Sequence, residues 1–170
     1  ARLFRQSLVR MGRFYEVVER ELRAQGLPKS LAYLPIVESW YNPGAVSWVG
    51  AAGLWQFMPS TAREMGLHVD RLVDERRDPY LSTPLALAYL SDLRGRFDSW
   101  FLALAAYNGG PGRLTRILGR AEREGAGHDG LFLEILHELP RETRDFVPRF
   151  LAAARVARNP EAYGFDDVVP

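Results

Sequence analysis

The chain has 170 residues, 47% of them apolar and 25% charged, with a formal net charge of +1. That length and mixture fit one folded domain with a sizeable core and argue against a disordered chain. The near-neutral balance gives no basic arm for nucleic acid, so none is expected as a partner, and the absence of cysteine excludes disulfides and thiolate metal sites.

Phe4, Leu8, Met11, Tyr15, Val18 and Leu22 recur at steps of four and three, the apolar stripe of one helix face. Gly26 and Pro28 end that helix. Residues 31–40 are apolar around Glu38, and Pro35 predicts a kink or restart there. Residues 42–56 read as loop, from Asn42-Pro43-Gly44 through Gly50 and Gly53. The same stretch admits a minor β-hairpin around residues 44–52. Pro59-Ser60-Thr61 opens a short helix ending at Gly66. Residues 70–79 form a second long, polar loop, and loops of this length in a compact domain tend to be functional.

Residues 80–97 read as a long helix. Residues 100–107 are apolar on every side. Their three alanines and two leucines, with no Val or Ile, favour a buried helix over a buried strand. Asn108-Gly109-Gly110-Pro111-Gly112 stops it. Residues 113–124 are amphipathic, 124–130 read as a flexible connection, and 140–158 form a last long helix with Pro148 near its middle. Residues 159–170 read as an exit segment. The result is one all-α domain over residues 1–170, with residues 1–26 as an N-terminal helix packed on it. No apolar run reaches membrane-spanning length, and residues 1–5 contain no signal-peptide core.

Three places carry candidate chemistry. Glu38 lies among Leu34, Pro35, Ile36, Val37, Trp40 and Tyr41. A carboxyl desolvated by such groups would have its pKa raised and could act as a general acid. From the local sequence alone, a helix-terminal Glu that simply points to water is the commoner case. Next is the stretch 50–60, where small residues allow close backbone approach to a ligand. Trp48 and Trp55 offer flat faces for sugar C–H groups, and the Gln56 amide suits hydroxyls and N-acetyl groups. A turn with a structural Gln is the plainer alternative. Last, Tyr107 and Asn108 end the buried helix and could hydrogen-bond a ligand, or Asn108 could simply cap the helix.

Other residues carry less. His68, His128 and His137 lack metal-ligand spacing. The run 74–78, Asp-Glu-Arg-Arg-Asp, reads as a solvated loop with weak local ion pairs. Ser39 and Ser47 have no triad-like His.

Taken together, Leu34-Pro-Ile-Val-Glu-Ser39, Gly53-Leu-Trp-Gln-Phe-Met-Pro-Ser-Thr-Ala62, Ala106-Tyr-Asn-Gly-Gly-Pro111 and Leu139-Pro-Arg-Glu-Thr-Arg144 resemble the lytic transglycosylases of the soluble-transglycosylase (SLT) superfamily. The branch they resemble is that typified by membrane-bound lytic transglycosylase D. The four motifs span most of the chain and occur in the family's order. The resemblance implies a lysozyme-like helical fold with a substrate groove. It implies Glu38 as the catalytic residue, and Ser47, Gln56, Met58, Tyr107 and Asn108 as substrate-binding residues. Tyr107 and Asn108 match a pair beside the catalytic carboxyl. Phe146 stands where the family usually has a substrate-site Tyr, which keeps the ring and loses the hydroxyl.

The implied reaction needs one carboxylate and no metal or organic cofactor. Glu38 would protonate the oxygen between N-acetylmuramic acid and N-acetylglucosamine, then act as base toward the C6 hydroxyl, closing a 1,6-anhydro ring. A muramidase and a peptidoglycan-binding domain with impaired catalysis remain the alternatives. The implied partner is the glycan strand of peptidoglycan, and the implied place is the periplasm or cell envelope. Relatives on this branch often carry peptidoglycan-binding repeats. The resemblance therefore leaves room for such modules, or a membrane anchor, outside these 170 residues.

Overall fold

The computed structural model describes residues 2–120 and 129–166. The stripe at the N-terminus forms helix α1, Arg2–Ala24, which buries Leu8, Met11, Val18 and Leu22 along one face. Gly26 takes φ +66°, its N–H donates to the Arg23 carbonyl at 3.2 Å, and the Leu27 N–H donates to Leu22 at 2.9 Å. This doubly bonded, left-handed ending satisfies the last carbonyls of the helix and turns the chain back. A 3-10 turn, Lys29–Tyr33, leads into helix α2, Leu34–Ser39. Pro35 sits in the first turn of α2, where its missing N–H has no helical partner to lose, so it restarts the helix rather than kinking it.

Residues 40–58 contain no regular strand. The hairpin admitted around 44–52 is absent as such; single antiparallel bridges join Val46 to Ala52 and Ala52 to Phe57. The backbone is too tightly turned for a ladder, with Gly50 and Gly53 at φ +86° and +85° and Gln56 at +52°. Helix α3, Pro59–Glu64, follows. The polar stretch after it contains one further bridge, Val69 to Asp74, and a 3-10 turn at Glu75–Arg77. Helix α4 is Pro79–Phe97.

The Ser99 hydroxyl caps helix α5, Trp100–Gly109, by accepting from the Leu102 N–H at 3.2 Å. Leu102 to Ala106 are all buried, as expected of a helix apolar on every side. Gly110 ends it, and helix α6, Pro111–Arg120, begins at once. The last residues of the amphipathic stretch and most of the connection expected over 124–130 lie outside the described residues. Helix α7, Asp129–Glu134, and a 3-10 turn at Leu136–Glu138 had no counterpart in the sequence reading. Helix α8 is Arg141–Arg158, with Pro148 inside it. Among the described residues no helix is long and apolar enough to cross a membrane.

The chain divides into two compact units, residues 1–87 with 152–170, and residues 88–151. In the first, α1 packs on the 3-10 turn 29–33 and on α2. The chain end returns to it: Phe165 is buried with its ring 5.4 Å from that of Phe4, and Arg5 donates to the Gly164 carbonyl at 3.2 Å. In the second, α5 packs on α6 and α7, with Phe101 edge-on to Phe132 at 6.0 Å.

Candidate active site

Glu38 is half-buried in the last turn of α2. The end of that turn is fixed from several directions. The buried Ser39 hydroxyl lies 3.1 Å from the Pro35 carbonyl and 2.9 Å from that of Leu54, one proton shared between two acceptors. Trp40 and Tyr41 both adopt φ +55°, a left-handed pair that non-glycine residues rarely form. Tyr41 is fully enclosed, and its hydroxyl donates to the Ala32 carbonyl at 2.8 Å. Burial pushes the Tyr41 phenol above its usual range, so it remains a donor. The strained turn is thus over-determined by its partners, and only Ser39 separates it from Glu38.

The 45–58 segment is the second component of this unit. Ser47 is half-buried; its hydroxyl accepts from the Ala51 N–H at 3.0 Å, and its own N–H donates to the Ala51 carbonyl at 2.8 Å. The Gln56 side-chain amide donates to the carbonyls of Gly53 and Ala45, at 2.9 and 3.3 Å. Those bonds brace its left-handed backbone and use the NH2 group structurally, so the amide's remaining hydrogen-bonding capacity is that of its oxygen, an acceptor. Met58 is exposed at the entry to α3. The two tryptophans part company. Trp55 is 1% exposed and donates to the Thr83 hydroxyl at 3.0 Å, so the flat face expected for sugar is core instead. Trp48 is 97% exposed at the tip of a turn closed by the Gly50 N–H to Ser47 carbonyl bond.

The run 74–78 also departs from expectation. Arg76 is not on a solvated loop; it is 7% exposed. Asp74 receives its Nε and Nη2 at 2.7 and 2.8 Å, and its Nη1 donates to the carbonyls of Gly50 and Phe57, both at 2.8 Å. Arg76 holds the Asp74 carboxyl below the usual carboxylate range. The backbone of Arg76 lies against Gly53, where an added Cβ would meet the Arg76 oxygen at 1.8 Å. Only glycine fits that contact and that φ.

In the second unit, Tyr107 and Asn108 occupy the last turn of α5, both half-buried. The Tyr107 ring lies 5.8 Å from that of Tyr89, tilted by 47°. The Asn108 side-chain oxygen is buried, with no hydrogen-bond partner among the described residues. Asn108 is not the cap that its sequence context allowed; the helix runs on to Gly109. A Cβ on Gly109 would lie 2.7 Å from the hydroxyl of buried Thr143, so two sequence motifs, 106–111 and 139–144, meet at this glycine. Phe146 is 4% exposed, its ring within the packed interior of the unit.

The sequence pattern of the Transglycosylase SLT domain family matches residues 17–128. The chain belongs to this family. It is 39% identical over 145 residues to membrane-bound lytic murein transglycosylase D of Escherichia coli strain K12, a match covering 85% of this chain and 31% of that protein. The chain therefore spans about a third of the length of that relative. Among solved structures it is similar to the 70 kDa soluble lytic transglycosylase Slt70 of Escherichia coli, with a TM-score of 0.70, 27% identity and 87% of this chain covered against 24% of that one. It is also similar to an inactive Glu-to-Gln mutant of lytic transglycosylase Slt from Pseudomonas aeruginosa, with a TM-score of 0.66, 28% identity and the same coverage of each chain.

Within the SLT domain, the first unit brings Glu38, Ser47, Gln56 and Met58 onto one set of interlocked turns, and the second places Tyr107, Asn108 and Phe146. What sequence reasoning missed is the support. The sequence marks Ser39 only as a possible nucleophile and Arg76 only as a solvated charge, whereas the structure makes both of them supports. Glycines at 50 and 53 followed by an Asp-x-Arg run hinted that a loop and a charged fork belong together, but nothing in the sequence pairs them.

Proposed function

We propose that this SLT domain is a lytic transglycosylase that cleaves the bond between N-acetylmuramic acid and N-acetylglucosamine in peptidoglycan, with Glu38 as acid and then base. The observation that carries the proposal is the fixed helix end around Glu38: Ser39 is tied to the carbonyl of Leu54, and the left-handed pair Trp40–Tyr41 follows it. A half-buried carboxyl on a helix end that cannot swing is what proton transfer at one defined oxygen requires. The inactive Glu-to-Gln mutant of the Pseudomonas relative supports a Glu in this role.

The protonated Glu38 gives its proton to the glycosidic oxygen as the bond from C1 of the muramic acid breaks. The C6 hydroxyl of the same sugar then attacks C1. Its proton passes to the Glu38 carboxylate, which regenerates the acid and leaves a 1,6-anhydro ring. The nucleophile is part of the substrate, so no second carboxylate has to deliver a water, as it must in a hydrolysing glycosidase.

Ser47, Gln56, Met58, Tyr107 and Asn108 are the proposed substrate contacts. The orphan oxygen of Asn108 is suited to accept from a sugar hydroxyl or an N-acetyl N–H, since a buried acceptor left unpaired costs about 1–3 kcal/mol. Phe146, with no hydroxyl, is proposed to contribute shape alone. The substrate implies action in the cell envelope.

The test is to digest purified peptidoglycan and weigh the muropeptides. Anhydro products support the proposal, and products heavier by one water would make the domain a muramidase. Glu38→Gln should nearly abolish turnover while the chain still folds; retained turnover would remove Glu38 from its role.

A further inference from the structure

Arg76 touches the Gly50–Phe57 segment at its start, middle and end. One nitrogen, Nη1, spends its two protons on the carbonyls of Gly50 and Phe57, seven residues apart in sequence. The Arg76 backbone oxygen rests against Gly53 between them. The other edge of the guanidinium is turned by a two-pronged bond to Asp74, at 2.7 and 2.8 Å. A planar fork can do both at once, whereas an ammonium can satisfy one edge or the other.

The segment so clamped carries the Leu54 carbonyl, which receives the Ser39 hydroxyl next to Glu38, and it carries Gln56. A buried ion pair is weak evidence for stability, because well-packed apolar groups often replace one at no cost. An apolar side chain could fill the volume of Arg76 but could not hold two carbonyls at a fixed separation. The pair thus sets a geometry.

We propose that Arg76, oriented by Asp74, is a positioning residue for the transglycosylase reaction. It fixes the 50–57 turn and, through Leu54 and Ser39, the end of α2 that bears Glu38. The inference rests on the reading of Glu38 as the catalytic residue.

The experiment compares Arg76→Met, Arg76→Lys and Asp74→Asn in the whole chain. Folding is checked by circular dichroism, and rates on solubilised glycan strands are taken well below each melting temperature. Arg76→Met should lower kcat roughly tenfold or more with KM nearly unchanged, as small misplacements of a reacting group do. Arg76→Lys should recover part of that loss. Combining Arg76→Lys with Ser39→Ala should give less than the product of the two separate losses, since both act along one path. Folded variants with wild-type kcat, or strictly multiplicative losses, would overturn the inference. If Arg76→Met does not fold, Asp74→Asn and the Arg76→Lys, Ser39→Ala combination decide by the same criteria. Glu38→Gln run alongside separates the two readings: an active Glu38→Gln sinks the catalytic assignment, whereas an inactive one with unaffected Arg76 variants sinks only the positioning role.

Discussion

The Ser39 hydroxyl lies 2.9 Å from the Leu54 carbonyl, and this bond joins the helix end that carries Glu38 to the turn that carries Gln56. Both partners are buried. Ser39→Ala removes the donor and leaves a buried acceptor behind. We expect a stability loss of about 1–3 kcal/mol, read from denaturant unfolding. On the proposed role of Glu38, kcat should fall more than KM rises in the folded protein.

Trp48 offers the opposite case. Its ring is 97% exposed on a turn whose backbone is held by Ser47, Gly50 and Ala51. Trp48→Ala should leave the melting temperature unchanged. If the ring is a surface for sugar, as its neighbour Ser47 suggests, KM for long glycan strands should rise several-fold with kcat intact. An unchanged KM across strand lengths would remove Trp48 from binding.

Gly50 and Gly53 have nearly the same φ, and their substitutions should not cost the same. At Gly50 nothing lies within 4 Å of an added Cβ, so Gly50→Ala should lose only the left-handed backbone cost, about 1–2 kcal/mol. At Gly53 the same methyl would also meet the Arg76 oxygen at 1.8 Å, and that atom is backbone that cannot swing aside. Gly53→Ala should be the more destabilising by at least about 1–2 kcal/mol, with lost activity in whatever remains folded. Chemical denaturation of the pair measures the difference directly.

Acid should weaken the first unit through Asp74. Its pKa is lowered in the folded chain, chiefly by the hydrogen bond from Arg76, so its stabilising contribution is fully present above the ordinary value of 3.8. That contribution fades as pH falls through the depressed folded value. Melting temperature followed from pH 6 downward should therefore drop on the acid side, and Asp74→Asn should flatten the drop. Asp70 shares the acid limb, being held at about 2 by the N–H groups of Val73 and Leu72 and by His68. An Asp74→Asn curve parallel to wild type below pH 4 would show that the pair is not coupled to folding.

The helices were legible from the amino-acid order because their causes are local. The stripe from Phe4 to Leu22, the restart at Pro35 and the all-round apolar run of α5 each follow from spacing within one turn or two. Helix α7 was not legible, because six residues between turns leave too little periodicity to read. Family membership was equally open to the sequence, since four motifs in order need no coordinates to be recognised, and Glu38 came with them.

What only the tertiary structure decided is how those motifs are held. It moved Trp55 into the core and left Trp48 bare, although both are tryptophans in one loop. It turned Arg76 from a solvated charge into a buried clamp and gave Gly53 and Gly109 their reasons, the Arg76 backbone and the Thr143 side chain. The physical reason is common to all of them. Burial and hydrogen-bond partners depend on which segments meet in space, and residues 23 or 34 positions apart carry no mark of that meeting until the chain is folded.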